Sequence, residues 1–520
     1  MKKLLLSAAV LLATDTLVAQ NPYMPLWEYI PDGEPYVFED PDRPGQYRVY
    51  VYGSHDIEVS AYCGRDQVVW SAPVNDLTDW RYDGVIFKSD VNAKGNSLLR
   101  SDILYAPDVA VRDGKYYLYP NNQAGGRQSM MCVSDRPDGP FTVYNWSTSN
   151  PRQTDGILGF DPAVFVDDDG RVYGYWGFEE SNGAELDPVN MASVKAGTQI
   201  VKNMVSDYKH EGIFRFFEAS SMRKIGGKYV FVYSRYTADG EDGLPASNNT
   251  LAYAYSDNPL GPFTYGGTIV DARQPDVDAQ GNAVATANRY GNTHGSIIEI
   301  DGQWYVFYHR QTGTDQFSRQ AMVAPITVKV TKDKVEISRA EVTSEGFQLS
   351  GLNPLNRIEA GWACWFKHPT TPVEDYPNFK YSGSYIRASR LEDGTTKGAY
   401  SLKGNLCPLT NNTAGSIVGW KYLNFDKLKK AKNPKITLHI GNVNAKGSIH
   451  ILVGAPTEEQ GGRHLVTFSL GSTDIQDGFY TIPLNNFKGI KGKKGLYMQF
   501  TSDTKGVSIC DLYDFQFTTD

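Results

Sequence analysis

From Pro22 to Val342 the chain alternates short apolar runs rich in aromatics with polar turns, and helical periodicity is weak. Runs such as Tyr116-Tyr117-Leu118-Tyr119 and Trp304-Tyr305-Val306-Phe307-Tyr308 are apolar on successive residues, as strands covered on both faces are. Asp113-Gly114, Asp169-Gly170, Gly226-Gly227 and Asp301-Gly302 each separate two such runs, and each predicts a hairpin. Beyond Gly351–Asn356, a joint of Gly, Pro and Asn, the pattern changes to short alternating segments: KITLHIGNV, SIHILVG, HLVTFSLG, GLYMQFTS and CDLYDFQF. Alternation of this kind predicts half-buried strands and hence a β-sandwich.

The first region is repetitive. A small or acidic residue, an apolar run, a polar turn and an aromatic strand recur five times. The openings are Glu34-Pro35-Tyr36-Val37-Phe38 before RVYVYGSHD, and Ala106-Pro107-Asp108-Val109 before DGKYYLYPNN. Phe160-Asp161-Pro162-Ala163 follows before DDDGRVYGYWG, then Phe217-Glu218-Ala219-Ser220 before GGKYVFVYS, and Thr293-His294-Gly295-Ser296 before DGQWYVFYH. A second repeat, Ser134-Asp135-Arg136-Pro137-Asp138-Gly139-Pro140-Phe141, returns as Ser256-Asp257-Asn258-Pro259-Leu260-Gly261-Pro262-Phe263 and predicts the turn between third and fourth strands. Four strands per unit and five units predict an all-β chain: a five-bladed β-propeller over 21–350, with VEISRAEV completing the fifth unit, then a β-sandwich over 351–520.

Residues 1–20 read as a secretory signal, with Lys2 and Lys3 ahead of an apolar stretch from Leu4 to Ala13 and then small residues. The stretch is too short for a stable membrane span, and no Cys near the cut supports a lipid anchor. An exported protein, periplasmic or extracellular, is expected. The five cysteines are scattered without metal-like pairing and read as buried thiols, although Cys364, Cys407 or Cys510 could join. Charge divides unevenly, −14 before Leu355 and +6 after it. An acidic first domain disfavours nucleic acid as a partner. The 33 Tyr, 23 Phe and 9 Trp suit packed blades, and they also suit the C–H faces of sugar rings.

In a propeller the first strand of every blade lines one funnel, so the five openings converge: Glu34, Asp108, Asp161, Glu218 and His294. Glycosidic hydrolysis needs one carboxyl group to protonate the leaving oxygen and another to activate water or attack carbon. Crowded carboxylates also raise one another's proton affinity.

The segments GFDPAVFVDDDGRVYGYWG, YAPDVAVRDGKYYLYPN, FFEASSMRKIGGKYVFVYS and GNTHGSIIEIDGQWYVFYHRQ, with SRQAMVAPI after them, resemble in order the blades of glycoside hydrolase family 43. Members of that family are five-bladed arabinofuranosidases and xylosidases. The resemblance implies Glu218 as general acid and Asp161 as the residue that tunes it. It implies Asp108, His294 and Arg319 as substrate contacts, and His294 as a point where calcium or an ordered water sits; His55, which follows the first-blade strand, and Trp176 are further candidates for substrate contact. The family's base is an Asp before Pro in the first blade, whereas this chain has Glu34-Pro35. Glu34 occupies the repeat position and is the expected base; Asp32, two residues upstream, is the second candidate. The resemblance implies an exo-acting, inverting hydrolase that takes terminal α-L-arabinofuranose from plant polysaccharide side chains, acting on an oligo- or polysaccharide and requiring no cofactor. β-Xylosidase and galactofuranosidase are the alternatives on this scaffold, and a glycan-binding propeller with a degenerate base is the alternative of another class. The C-terminal region resembles family 6 carbohydrate-binding modules through SIVGWKYLNFD and CDLYDFQF, with Trp420 and Tyr422 as candidates for stacking sugar or for framework packing.

Overall fold

The structure, a computed structural model, describes residues 20–57, 61–89, 103–122, 129–210, 212–288, 291–314, 316–369, 383–387, 407–471 and 478–519. The expected signal segment therefore lies outside the described residues, apart from Gln20.

Four of the five repeat units are four-stranded antiparallel sheets in simple chain order. The first blade is Glu34–Glu39, Tyr47–Tyr52, Asp66–Pro73 and Arg81–Lys88. The second runs Leu104–Arg112, Lys115–Asn122, Cys132–Ser134 and Thr142–Val143, and the third Ala163–Val166, Val172–Trp176, Asn182–Leu186 and Val201–Lys202. The fourth is Phe216–Ile225, Lys228–Arg235, Thr250–Ser256 and Thr264–Asp271. The turn signals act as read: Asp113-Gly114, Gly226-Gly227 and Asp301-Gly302 have positive φ at both residues, the hairpin geometry that matches strand twist. The repeated third-turn motif is anchored alike in both copies. Tyr52 of the first blade donates to Pro137 O in the second at 2.7 Å, and Tyr175 of the third donates to Pro259 O in the fourth at 3.0 Å.

The fifth blade departs from expectation. It has three strands, Ser296–Ile300, Gln303–Gln311 and Arg319–Ile326. VEISRAEV does not supply a fourth. Val335–Ile337 instead pairs with Val328–Val330 and lies against the outer strands of the fourth blade, where Tyr253 hydroxyl accepts from Ile337 N–H. The outer edge of the fifth blade is covered from the other end of the chain. Tyr23 N–H donates to Ala321 O, and the Asn21 side chain both donates to Val323 O and accepts from Val323 N–H. Gly33 also bridges Gly295 in parallel, so first and last inner strands meet and the ring closes.

Each seam between blades has its own apolar core. Tyr50, Val69, Leu104 and Leu118 fill the first seam, Tyr119, Leu158, Val164 and Val172 the second, Tyr175, Phe216 and Phe231 the third, and Val232, Leu251, Val306 and Met322 the fourth. The closing seam differs. Val49, Val51, Phe307 and Val323 join Tyr23, Trp27 and Trp80, and this cluster runs on into the C-terminal domain.

Among the described residues that domain is two antiparallel sheets, one of five strands (Trp365–Lys367, Ile417–Asn424, Lys493–Thr501, Gly447–Val453, Arg463–Leu470) and one of six that includes Lys435–Gly441 and Asp511–Thr518. Trp420 sits fully buried between them, edge-on to Phe515 at 4.9 Å, with its indole N–H on Ala360 O. It is framework and is not exposed for stacking. Tyr422 donates to Glu341 at 2.8 Å. The domain grips the closing seam: Arg310 donates to Ala363 O at 2.9 Å, and Ile386 N–H to Thr312 O at 2.9 Å. All five cysteines are buried.

Candidate active site

The inner strands surround a cavity of about 520 Å3, within the roughly 300–1,000 Å3 range of small-molecule sites. Of the expected residues, Asp161, Glu218, His294 and Arg319 line it, and so does Asp32. Glu34, Asp108, His55 and Trp176 are not among the lining side chains.

The five openings therefore divide into two levels. Glu34 is 1% exposed and its Oε2 accepts from Arg223 at 2.8 Å and from Ser221 hydroxyl at 3.2 Å, tying the first blade to the fourth. Asp108 accepts from Tyr36 hydroxyl (2.6 Å, first blade) and from Val164 N–H (2.7 Å, third blade). Arg223 also lies over the Tyr36 ring at 4.7 Å. This lower level is a stitched floor, with every carboxylate given donors as burial demands. His55 is held between Asp66 (2.8 Å) and Glu28 (3.3 Å). Burial works against its charge, but the two carboxylates lift its pKa to about 9. Trp176 packs against Gly159, where a Cβ would come within 2.8 Å of the indole.

The upper level carries the reactive arrangement. Asp32 sits two residues before the first strand at φ 61°, a left-handed conformation uncommon for a residue with a side chain. Arg319 donates from one nitrogen to both Asp32 oxygens (3.1 and 3.2 Å), and Ser54 hydroxyl donates to Oδ2 at 2.5 Å. Arg319 is itself fixed by a two-point contact with Asp56 (2.9 and 2.9 Å) and lies over the Tyr62 ring at 4.8 Å. Burial pushes the Asp32 carboxyl up, but the Arg319 guanidinium, with the neighbouring imidazoles and Ser54, outweighs it and holds the group below the usual range.

Glu218 lies at irregular pairing between Phe216–Ile225 and Lys228–Arg235, a bulge that turns its side chain to the cavity. Asn248 and Asn292 both donate to its Oε1, at 3.0 and 3.4 Å. Burial first, then the Asp32 charge, pushes its pKa up to about 7. Asp161, at φ 48°, accepts from the N–H of Ala219, the residue after Glu218, at 3.1 Å, and from Asn121 at 3.3 Å. Burial and the nearby Glu218 and Asp32 raise it well above the carboxylate range. His294 stands 3.6 Å from Asp161 and 3.9 Å from Glu34, joining the two levels. Burial lowers its pKa to about 4, so the ring is neutral.

One wall is aromatic. Phe160, Phe178, Phe217 and Tyr236 succeed one another at centroid distances of 5.0, 5.0 and 5.2 Å, and Tyr208 stacks on Tyr236 at 4.5 Å. Sequence reading missed this wall, Asn248, Asn292 and the Arg319 anchor. Aromatics at strand ends look like blade packing, and loop amides carry no periodic signal. The hint available was the excess of aromatics immediately beside the openings, Phe160 and Phe217.

The family model for glycosyl hydrolases family 43 matches residues 39–331, beginning after both first-blade carboxylates. The chain is 39% identical over 369 residues to a xylosidase/arabinosidase of Thermoclostridium stercorarium, covering 66% of this chain and 71% of that protein. It is 29% identical to an arabinoxylan arabinofuranohydrolase of Paenibacillus polymyxa, covering 74% of this chain and 61%, less than two thirds, of that one. Among solved structures, a β-xylosidase/α-arabinofuranosidase from a compost metagenome is similar at 27% identity and a TM-score of 0.43, over 61% of this chain and 96% of that one.

Proposed function

The chain belongs to glycosyl hydrolases family 43 and is a glycosidase, and from that premise we propose an exo-acting, inverting enzyme that removes terminal α-L-arabinofuranosyl residues from plant polysaccharide side chains. One observation carries the mechanism. Asp32 and Glu218 line one cavity with proton affinities driven apart, the first below the usual carboxylate range and the second up to about 7. Such separation marks an acid and a base.

In this reading Glu218 protonates the leaving oxygen, with Asn248 and Asn292 holding Oε1 so that Oε2 carries the proton. Asp32 deprotonates the attacking water. Its oxygens are clamped by Arg319 and Ser54, which suits orienting water better than forming a bond to carbon. Burial and the Asp32 charge keep Glu218 protonated, and Asp161 holds the backbone beside it through the Ala219 N–H. Glu34 and Asp108 are assigned to the ring floor, and Asp32 takes the base role that the repeat position suggested for Glu34. The motive for a non-hydrolytic binder, a Glu in place of the base, then disappears. The aromatic wall offers faces to the polymer on the leaving side.

A calcium at His294 would find Nε2 of that ring and Glu34 Oε1, both without hydrogen-bond partners among the described residues. Calcium takes 6–8 oxygen ligands, and among the described residues no group of three or more His, Cys, Asp or Glu is arranged to hold a metal ion. The residues do not fit a protein-held calcium, and no step runs through one. Export rests on Lys2, Lys3 and the Leu4–Ala13 run, and amino-terminal sequencing of the secreted protein tests it.

The sugar is tested with nitrophenyl α-L-arabinofuranoside, β-D-xyloside and β-D-galactofuranoside, with the product anomer followed by NMR. Fastest release from the arabinoside with inverted product is expected. β-Xyloside is the second reading, because the Thermoclostridium relative carries both activities in its name. Retention of configuration, or no release from any of the three, sinks the proposal.

A further inference from the structure

His309 belongs to no expected motif role. It lies in the middle strand of the fifth blade, Gln303–Gln311, with no exposed surface and outside the cavity lining. The Asp32 backbone N–H points at its Nδ1 at 3.1 Å. Asp32 Oδ1 lies 3.3 Å from the same nitrogen, so Nδ1 faces both the backbone and the carboxylate of Asp32. A backbone amide only donates, so the amide contact makes Nδ1 an acceptor and puts the ring hydrogen on Nε2. Nε2 lies 3.0 Å from Asn292 Oδ1, which also receives Gln311 Nε2 at 3.2 Å. Two donors on that oxygen fix the amide's orientation and turn Asn292 Nδ2 to Glu218 Oε1, 3.4 Å away. Gln311 reaches this position because residue 291 is glycine: a Cβ there would fall 2.1 Å from Gln311 Nε2.

We propose that His309 is a positioning residue that joins the two halves of the reaction, holding Asp32 through its backbone and Glu218 through Asn292 in one directed chain of hydrogen bonds. The neutral ring is the form that accepts the Asp32 N–H, since a second ring proton would give up that contact and face Asp32 Oδ1, 3.3 Å away, instead. Burial keeps it neutral, lowering its pKa to about 3. Asp32 sits in the left-handed region, and the hydrogen bond from its N–H to His309 fixes it there. The proposal rests on the assignment of Asp32 as base and Glu218 as acid.

The test separates the two arms by leaving group. An unactivated glycoside needs the acid, whereas a dinitrophenyl glycoside departs without a proton and still needs the base. Both forms are made of whichever sugar the enzyme hydrolyses fastest. Asn292→Ala, which cuts only the acid arm, is expected to lose kcat on the unactivated substrate and little on the dinitrophenyl one. His309→Phe cuts both arms and is expected to lose about 10–100-fold in kcat on both substrates, the scale of a misplaced catalytic group, with KM nearly unchanged. His309→Gln, which keeps a donor and an acceptor, is expected to recover part of the loss and serves as the variant if His309→Phe fails to fold. A His309→Phe enzyme of full kcat, or one impaired only on the unactivated substrate, overturns the proposal. So does a loss in the variants that tracks the folded fraction by circular dichroism. Asp32→Asn or Glu218→Gln retaining full rate on the unactivated glycoside would overturn the underlying assignment instead.

Discussion

The centre of the propeller and the centre of the sandwich are both buried, and they are built from opposite materials. Around the ring axis Asp32, Glu34, Asp108, Asp161, Glu218, His294, His309, Arg223 and Arg319 are crowded together, almost all of them under a tenth exposed. Between the sandwich sheets lie Trp420, Ile436, Leu438, Ile451, Met498 and Phe515. Backbone strain follows the same division. Among the described residues, the sandwich's side-chain-bearing residues at positive φ are Asn411, Asn433 and Asn442, a residue type that tolerates that region. The ring axis has Asp32 and Asp161, of a type that tolerates it too, and Ala219, which does not. Buried charge and left-handed backbone each cost free energy. A fold keeps them where a task requires it, while dry packing elsewhere holds the structure together. The sandwich core also runs into the closing seam of the ring, so the apolar region stabilises the closure of the strained one.

The largest effect expected is on rate without loss of stability. Asp32→Asn or Glu218→Gln removes a base or an acid and should lower kcat by about 10²–10⁴-fold. In Glu218→Gln the thermal midpoint at neutral pH should hold or rise. The folded state holds this group's proton up to about pH 7 whereas an unfolded one releases it near 4.5, so folding opposes its ionisation in that window. A variant that loses rate only because it unfolds would erase the contrast between the two regions. Trp420→Ala should do the reverse. It should lose about 3–5 kcal/mol in denaturant unfolding, with kcat per folded molecule within about twofold of the parent. A large fall in kcat measured on fully folded protein would mean that the sandwich sets active-site geometry, through Ile386 on Thr312, and does more than stabilise the ring.

The same division shows what was legible beforehand. The hairpin dipeptides, the blade order and the alternating sandwich strands are local signals, and each has its structural counterpart. Asp161, Glu218, His294 and Arg319 were reachable because convergence follows from the repeat. That Asp32 and not Glu34 lines the cavity was not legible, because repeat alignment treats every opening as sitting at the same depth. The left-handed Asp32 breaks that rule, lifting the carboxylate before the strand into the cavity and leaving the repeat-position carboxylate in the floor. His309, Asn248 and Asn292 act through strand ends and loops, where polar residues leave no periodic trace. The fifth blade's missing strand was unreadable for another reason: its cover, Asn21 and Tyr23, lies some 300 residues away and has no strand pattern of its own.

Glu34→Gln sharpens the comparison inside the ring itself. Burial pushes the Glu34 carboxyl up to about 7 against the pull of Arg223, so above that pH the amide leaves Arg223 facing a neutral partner in place of a charged one, and a loss of about 1–3 kcal/mol in stability is expected there. On folded protein kcat should fall far less than in Asp32→Asn. Equal losses of kcat in the two variants would return the base role to Glu34.

The smallest effect is the pH profile of kcat/KM, and it reads both carboxylates at once. In the proposed mechanism the active form has Asp32 ionised and Glu218 protonated. As pH rises through about 7 Glu218 loses its proton, and kcat/KM should fall about tenfold per unit beyond that point. On the acid side Asp32 stays ionised below the usual carboxylate range because Arg319 opposes the effect of burial, so activity should persist through pH 5 and decline only below it. The limbs are linked, because the Asp32 charge is the second cause of the raised Glu218 value. Asp32→Asn removes that charge, and the basic limb of its residual activity on an unactivated glycoside should move to lower pH. If Glu34 were the base, Asp32→Asn would leave the acid limb in place, and the loss of that limb in this one variant is the observation that separates the two carboxylates.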